Sequence, residues 1–104
     1  MSEAKLRAIE ARIEAIKEAL RGIGEMRPGS LTKQSRGAKG VYYHLSYTHK
    51  MRGRTEYVRP EYAAEIRMQV SSYKRFKKLV EEWVSLAIEH SKMKIGLAKK
   101  KDSK

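Results

Sequence analysis

The sequence predicts an α+β fold, with an N-terminal helix, a two- or three-stranded antiparallel sheet and a long C-terminal helix. Apolar residues recur at helical spacing at both ends of the chain, whereas the middle third alternates apolar and polar residues. A chain of 104 residues that is 40% hydrophobic can build one compact core. The predicted segments are an amphipathic heptad helix over 1–26, a basic sheet over 27–60, a long amphipathic helix over 61–97 and a disordered basic tail over 98–104.

The first helix carries an unbroken heptad seam. Its apolar residues follow each other at steps of three and four: Leu6, Ile9, Ile13, Ile16, Leu20 and Ile23. Gly22, Gly24 and then Pro28-Gly29 end the helix. The pattern leaves open whether the long helix of the same chain or a second copy covers this seam. We favour a homodimer formed through the helices.

The sheet is predicted from an alternation of period two. Val41, Tyr43, Leu45 and Tyr47 alternate with more polar residues up to Thr48, as in a half-buried strand. After a loop over residues 50–53, residues 54–58 form the returning strand of a hairpin. Residues 31–36 are a candidate third strand.

The second helix begins at Pro60, and acidic residues follow in its first turns, where the helix dipole favours them. An apolar stripe at steps of three and four continues to about residue 95, and Gly96 marks the expected end. A helix of this length needs the first helix, the sheet or a second copy to cover its stripe.

Positive charge is concentrated in the middle of the chain. Lys and Arg number 24 against 12 Asp and Glu, which gives a net charge of +12. Residues 1–26 are balanced, whereas residues 27–60 carry eight basic residues against Glu56 alone. A solvated surface normally mixes its signs, so this asymmetry indicates a polyanionic partner.

The composition excludes most catalytic sites. The chain has no Cys, which rules out thiol nucleophiles and Cys-ligated metals, and Asp102 in the tail is its only Asp. We therefore expect no enzyme activity, no cofactor, no metal site and no small-molecule substrate. The sequence shows no secretory signal and no apolar stretch near the ~20 residues of a membrane span, which favours a cytoplasmic protein, nucleoid-associated when bound to DNA.

Two motifs resemble a known group of proteins. Pro28-Gly29-Ser30-Leu31-Thr32-Lys33-Gln34 and Tyr42-Tyr43-His44-Leu45-Ser46-Tyr47-Thr48 are similar to a family of small uncharacterised prokaryotic proteins. The resemblance covers about residues 28–90 and implies an association with transposons, plasmids or phages. Relatives place a cysteine cluster between the motifs, where this chain has none, so any metal-binding role of relatives does not carry over. The strand–hairpin–helix order also resembles the arm-type DNA-binding domains of integrases.

These observations predict a double-stranded DNA-binding protein. Basic residues interleaved with tyrosines supply phosphate contacts, and arginines at the hairpin tip suit a DNA groove. Tyr42, His44 and Ser46 share one face of the predicted strand, and we expect this face to meet DNA. An error of one residue in the register would place them on the other face. The candidate contact residues are Lys33, Arg36, Lys39, Tyr42, His44, Ser46, Lys50, Arg52, Arg54, Arg59, Lys74, Arg75, Lys77 and Lys78.

Three alternatives follow from the same features. RNA binding would use stacking of unpaired bases on an exposed Tyr42. A non-catalytic helical adaptor would work without the basic residues of the sheet. The basic helix around residues 74–78 also resembles a membrane-surface helix, but its aromatic stripe is needed to close a core, so we expect no membrane partner.

Overall fold

A computed structural model describes residues 3–35 and 37–102 and confirms the α+β fold class. The elements are α1 (Glu3–Arg21), β1 (Ser30–Ser35), β2 (Val41–His49), β3 (Arg52–Val58) and α2 (Ala63–Asp102). Two short 3₁₀ helices, Gly37–Lys39 and Pro60–Tyr62, precede β2 and α2. The third strand that the sequence left open is present.

The three strands form one antiparallel sheet in the order β1-β2-β3. β1 pairs with β2 from Ser30 opposite Ser46 to Ser35 opposite Val41. β3 begins at Arg52 opposite His49, two residues earlier than the sequence predicted, because the turn consists of Lys50 and Met51 alone.

Both turn residues have a positive φ, 52° at Lys50 and 65° at Met51, which is the backbone of a type I′ hairpin turn. Residues with a Cβ pay roughly 1–2 kcal/mol each for this conformation, so such turns usually contain Asn-Gly.

One face of the sheet packs on the beginning of α2. Leu45 is fully buried and forms the centre of this core with Val58 and Val70, while Tyr43 and Tyr47 pack around it. Because side chains alternate along a strand, the residues between these point away from α2. We call the two sides the core face and the outer face.

The chain divides into two compact units. The helical unit contains α1 and the part of α2 from Lys77 onward, and the sheet unit spans Ile23–Phe76. Within the helical unit α1 lies antiparallel to α2, because Glu10 hydrogen-bonds His90 whereas Arg12 pairs with Glu82.

The seam of α1 is partly buried inside the single chain, since Ile9 and Ile16 are buried whereas Leu6, Ile13 and Leu20 are half-buried. Ile9 is 6% exposed and Ile16 is 0% exposed. Of the two covers that the sequence left open for this seam, the structure shows the long helix of the same chain. A homodimer is therefore not required to bury Ile9 and Ile16.

α1 ends at Arg21, directly before Gly22, the first of the glycines that the sequence predicted to end it. α2 continues through Gly96 to Asp102, where the sequence predicted an end near 97 and a disordered tail. A helical Gly costs only about 1 kcal/mol, and the lysines that follow are good helix formers that suit a helix C-terminus. In the ranges described, neither helix has a stretch apolar and long enough to span a bilayer.

Candidate nucleic-acid interface

The end of the β2–β3 hairpin projects beyond the first strand. Ser46 is the last residue of β2 that pairs with β1, so residues 47–54 form a two-stranded segment, here called the ribbon. From Ser46 to His49 the ribbon extends about 10 Å at ~3.3 Å per residue. All residues from Thr48 to Thr55 are exposed.

The ribbon carries three cations and no acid. Lys50, Arg52 and Arg54 are exposed, and within the described part of the chain none of them forms a hydrogen bond or ion pair with another side chain. By contrast, Arg27 donates to Glu56 at 2.5 Å. The cations of the ribbon are therefore available to an external anion.

The other basic residues of the sheet lie apart from the ribbon. Lys33 is exposed on β1 opposite Tyr43, and Arg59 lies beyond the other end of β3, about 17 Å along the strand from Arg54. Arg59 also has an acid nearby, with its Nη1 3.8 Å from Glu61. Arg36 and the side chain of Lys39 lie outside the described residues.

Tyr42, His44 and Ser46 lie on the outer face, as the parity of β2 predicted. The Tyr42 ring lies edge-on to His44, with centroids 5.0 Å apart, and 5.9 Å from the ring of Tyr57. The Ser46 hydroxyl is 3.3 Å from that of Thr55 on the neighbouring strand. Tyr57 is 62% exposed, whereas Tyr42, which was expected to be exposed, and His44 are half-buried, so Tyr57 is the ring of this aromatic cluster that is most open to solvent.

The register separates the cations from this aromatic cluster. Lys33, Arg52 and Arg54 pair with Tyr43, His49 and Tyr47, which places all three at core-face positions. Among the described strand residues, the outer face carries no Lys, Arg, Asp or Glu. The cations of the strands therefore share a face with Tyr43 and Tyr47 and lie on the opposite face from Tyr42 and Tyr57.

Two residues near these surfaces were missing from the candidates chosen by sequence. Tyr57 completes the aromatic cluster, and only the pairing of His44 with Tyr57 reveals that it faces outward. The Arg27 guanidinium lies 5.1 Å from the centre of the Tyr47 ring and holds the base of the ribbon. No local pattern distinguishes Arg27, because its partners are distant in sequence.

The remaining candidates lie on α2. Lys74 and Arg75 belong to the sheet unit and Lys77 and Lys78 to the helical unit, and all four are exposed. We call these four residues the helix cluster. Among the described residues there is no group of three or more His or acidic side chains arranged to hold a metal ion.

The fold and this surface define a small basic α+β protein with a cationic β-ribbon. A family model described as Domain of unknown function (DUF6788) matches residues 5–68. The match covers more than half of the chain, so the protein belongs to this family. The ribbon and the outer face both lie inside the matched region. No curated protein and no solved structure matches the chain significantly.

Proposed function

We propose that this protein binds double-stranded DNA through the ribbon. The observation that carries the proposal is the set of three exposed cations at the free end of the hairpin, none of which has an acidic partner among the described residues. Cations at such a position neutralise phosphates and release condensed counterions, which supplies affinity for any duplex.

The dimensions of the ribbon suit a DNA groove. The major groove of B-DNA is about 12 Å wide and about 8.5 Å deep, and it admits a two-stranded β-ribbon. The ribbon extends about 10 Å beyond its last pairing with β1, so its turn can reach the base edges. Lys50 and Arg52 then lie near the phosphates or base edges, where Arg pairs bidentately with guanine.

The test is a titration of duplex DNA at several salt concentrations with the double variant Arg52→Gln, Arg54→Gln. Each lost phosphate contact should flatten the log–log salt dependence by about 0.9, so we expect a change near 1.8 and weaker binding.

The matched control is Arg7→Gln, Arg21→Gln, which removes the same charge from exposed arginines of α1 that already have acids nearby. This control should leave the salt dependence nearly unchanged. Equal effects of the two double variants would show that only net charge matters and would exclude the ribbon as the contact.

The aromatic cluster favours a second candidate, single-stranded RNA. Exposed rings stack on unpaired bases of any sequence, and the outer face is uncharged, so phosphates would need cations from its margins. Replacing Tyr57 by Ala should then weaken binding to single-stranded RNA and leave binding to duplex DNA intact. If the substitution weakened binding to duplex DNA and left binding to single-stranded RNA intact, duplex DNA would be favoured as the partner.

A role in a plasmid, phage or transposon rests on the resemblance of the two motifs alone, and we propose it as the biological setting.

A helical adaptor would behave differently from a DNA-binding protein when the arginines of the ribbon are replaced. It would bind its protein partner equally well with and without the arginines of the ribbon.

A further inference from the structure

The apex of the ribbon is an apolar side chain in full contact with solvent. Met51 is 98% exposed, more than any other exposed large hydrophobic residue of the described chain. Lys50 precedes it and Arg52 follows it, both exposed and both without a side-chain partner among the described residues. A flexible apolar side chain between two cations is unfavourable in water and suits a partner that is anionic outside and apolar inside.

The backbone at the apex is also unfavourable for the residues that occupy it. Both Lys50 and Met51 have a positive φ, a conformation that Asn and Gly adopt far more readily. Asn-Gly would close the same turn at lower cost. A strained turn that presents Met at its tip therefore indicates a function for this side chain.

We propose that Met51 is a wedge that inserts between adjacent base pairs of bound DNA and kinks the duplex. This proposal rests on duplex binding by the ribbon and deepens it. Met is one of the apolar side chains that proteins insert between base steps from the minor groove, so a wedge takes the ribbon into that groove instead of the major groove, and the unstacking bends the DNA by about 20–90°. The ribbon reaches about 10 Å, which brings Met51 to the level of the stacked bases while Lys50 and Arg52 hold the flanking phosphates.

A different use of Met51 gives a different result. An apolar side chain in the major groove can contact the thymine methyl group, which affects sequence preference and leaves the helix straight. Bending therefore distinguishes a wedge from a reader of thymine.

The experiment measures bending by energy transfer between dyes at the two ends of a short duplex. It uses the full chain and the variants Met51→Leu and Met51→Asn. Leu keeps an apolar wedge, whereas Asn is polar and relieves the strain of a positive φ. We expect wild type and Met51→Leu to bend the duplex, and Met51→Asn to bind it without bending while melting at a higher temperature than wild type.

A second measurement compares a paired duplex with one that contains a single mismatch. Wild type should bind the mismatched duplex about tenfold more tightly than the paired one, because unstacking costs less free energy at a mismatch. Met51→Asn should lose this preference. The higher melting temperature of the Asn variant separates these effects from misfolding.

Several outcomes would overturn the wedge. Wild type that binds a duplex and leaves it straight, or Met51→Asn that still bends it, would refute the wedge and leave duplex binding intact. A straight complex whose thymine preference changes with Met51 would assign the side chain to base reading instead. Wild type that binds no duplex at all would refute both proposals, and the salt titration of the arginine variants identifies that case independently.

Discussion

Replacing Gly29 by Ala should destabilise the sheet unit severely, and the structure sets the magnitude. Gly29 has a φ of 132°, a conformation that only Gly adopts easily. A Cβ at this position would lie 2.8 Å from the carbonyl oxygen of Ser46 and 2.9 Å from Cδ1 of Leu45. Neither atom can move cheaply, because Ser46 belongs to the central strand and Leu45 is fully buried.

Two costs add in this substitution. A strained backbone costs about 1–3 kcal/mol, and an overpacked core costs about 1–3 kcal/mol more. A domain of this size loses roughly 4–8 °C in Tm per kcal/mol, so Gly29→Ala should lower the Tm by at least about 8 °C. Thermal unfolding followed by circular dichroism measures this change directly.

Gly24→Ala is the matched control, because a Cβ at Gly24 would meet no heavy atom within 4 Å and its φ is not positive. This variant should be neutral or slightly more stable than wild type. If Gly29→Ala melted within about 2 °C of wild type, the close packing of residue 29 on β2 would be refuted. If it melts early, Pro28-Gly29-Ser30 is a motif that the fold requires rather than a ligand site.

Three further predictions concern charge and assembly. The hydrogen bond from Arg12 lowers the pKa of Glu82 below its usual 4.5. The pair therefore stabilises the folded protein above pH 4.5, and this stabilisation is lost as the pH falls through the lowered pKa of Glu82. Wild type and Glu82→Gln should therefore differ in Tm at neutral pH and converge once the pH falls below the lowered pKa of Glu82. Neutralising the helix cluster should weaken binding to all duplexes by similar factors and leave the preferred sequence unchanged, which selection from a random duplex library would show. Sedimentation should find a dimer, because a second copy would cover the exposed apolar residues Val84, Ile88 and Ile95 of α2. A monomer at every concentration would contradict this prediction.

The helices and strands could be predicted because each depends on a local pattern. The heptad of α1 and the alternation of β2 follow from the periods of their own residues, and both elements are present. The cover of the α1 seam could not be predicted, because contacts such as Arg12 with Glu82 join residues far apart in sequence. A heptad specifies an apolar partner without specifying which chain supplies it.

The site could be predicted only within one strand. Parity along β2 placed Tyr42 and His44 on one face, but the face of a residue on β3 depends on the register across the hairpin. That register is set by the turn at Lys50 and Met51, which lacks the Asn-Gly signal of a type I′ turn. The loop was therefore predicted too long, and the separation of Arg54 from the aromatic cluster did not follow from the sequence.

The separation of charge from aromatic rings limits how tightly one chain can bind. Three cations on the ribbon give a salt dependence of at most about 2.7 in log–log slope, which corresponds to weak, non-specific affinity. The uncharged outer face adds little attraction to phosphate, so extra affinity must come from the helix cluster or from a second ribbon. Two ribbons joined in a dimer would raise affinity by about 10²–10⁴ if both engage one duplex. A dimer would therefore have a physical role in the proposed DNA binding even though Ile9 and Ile16 of the α1 seam are already covered. Dilution below the dimer dissociation constant should then weaken DNA binding and chain association together.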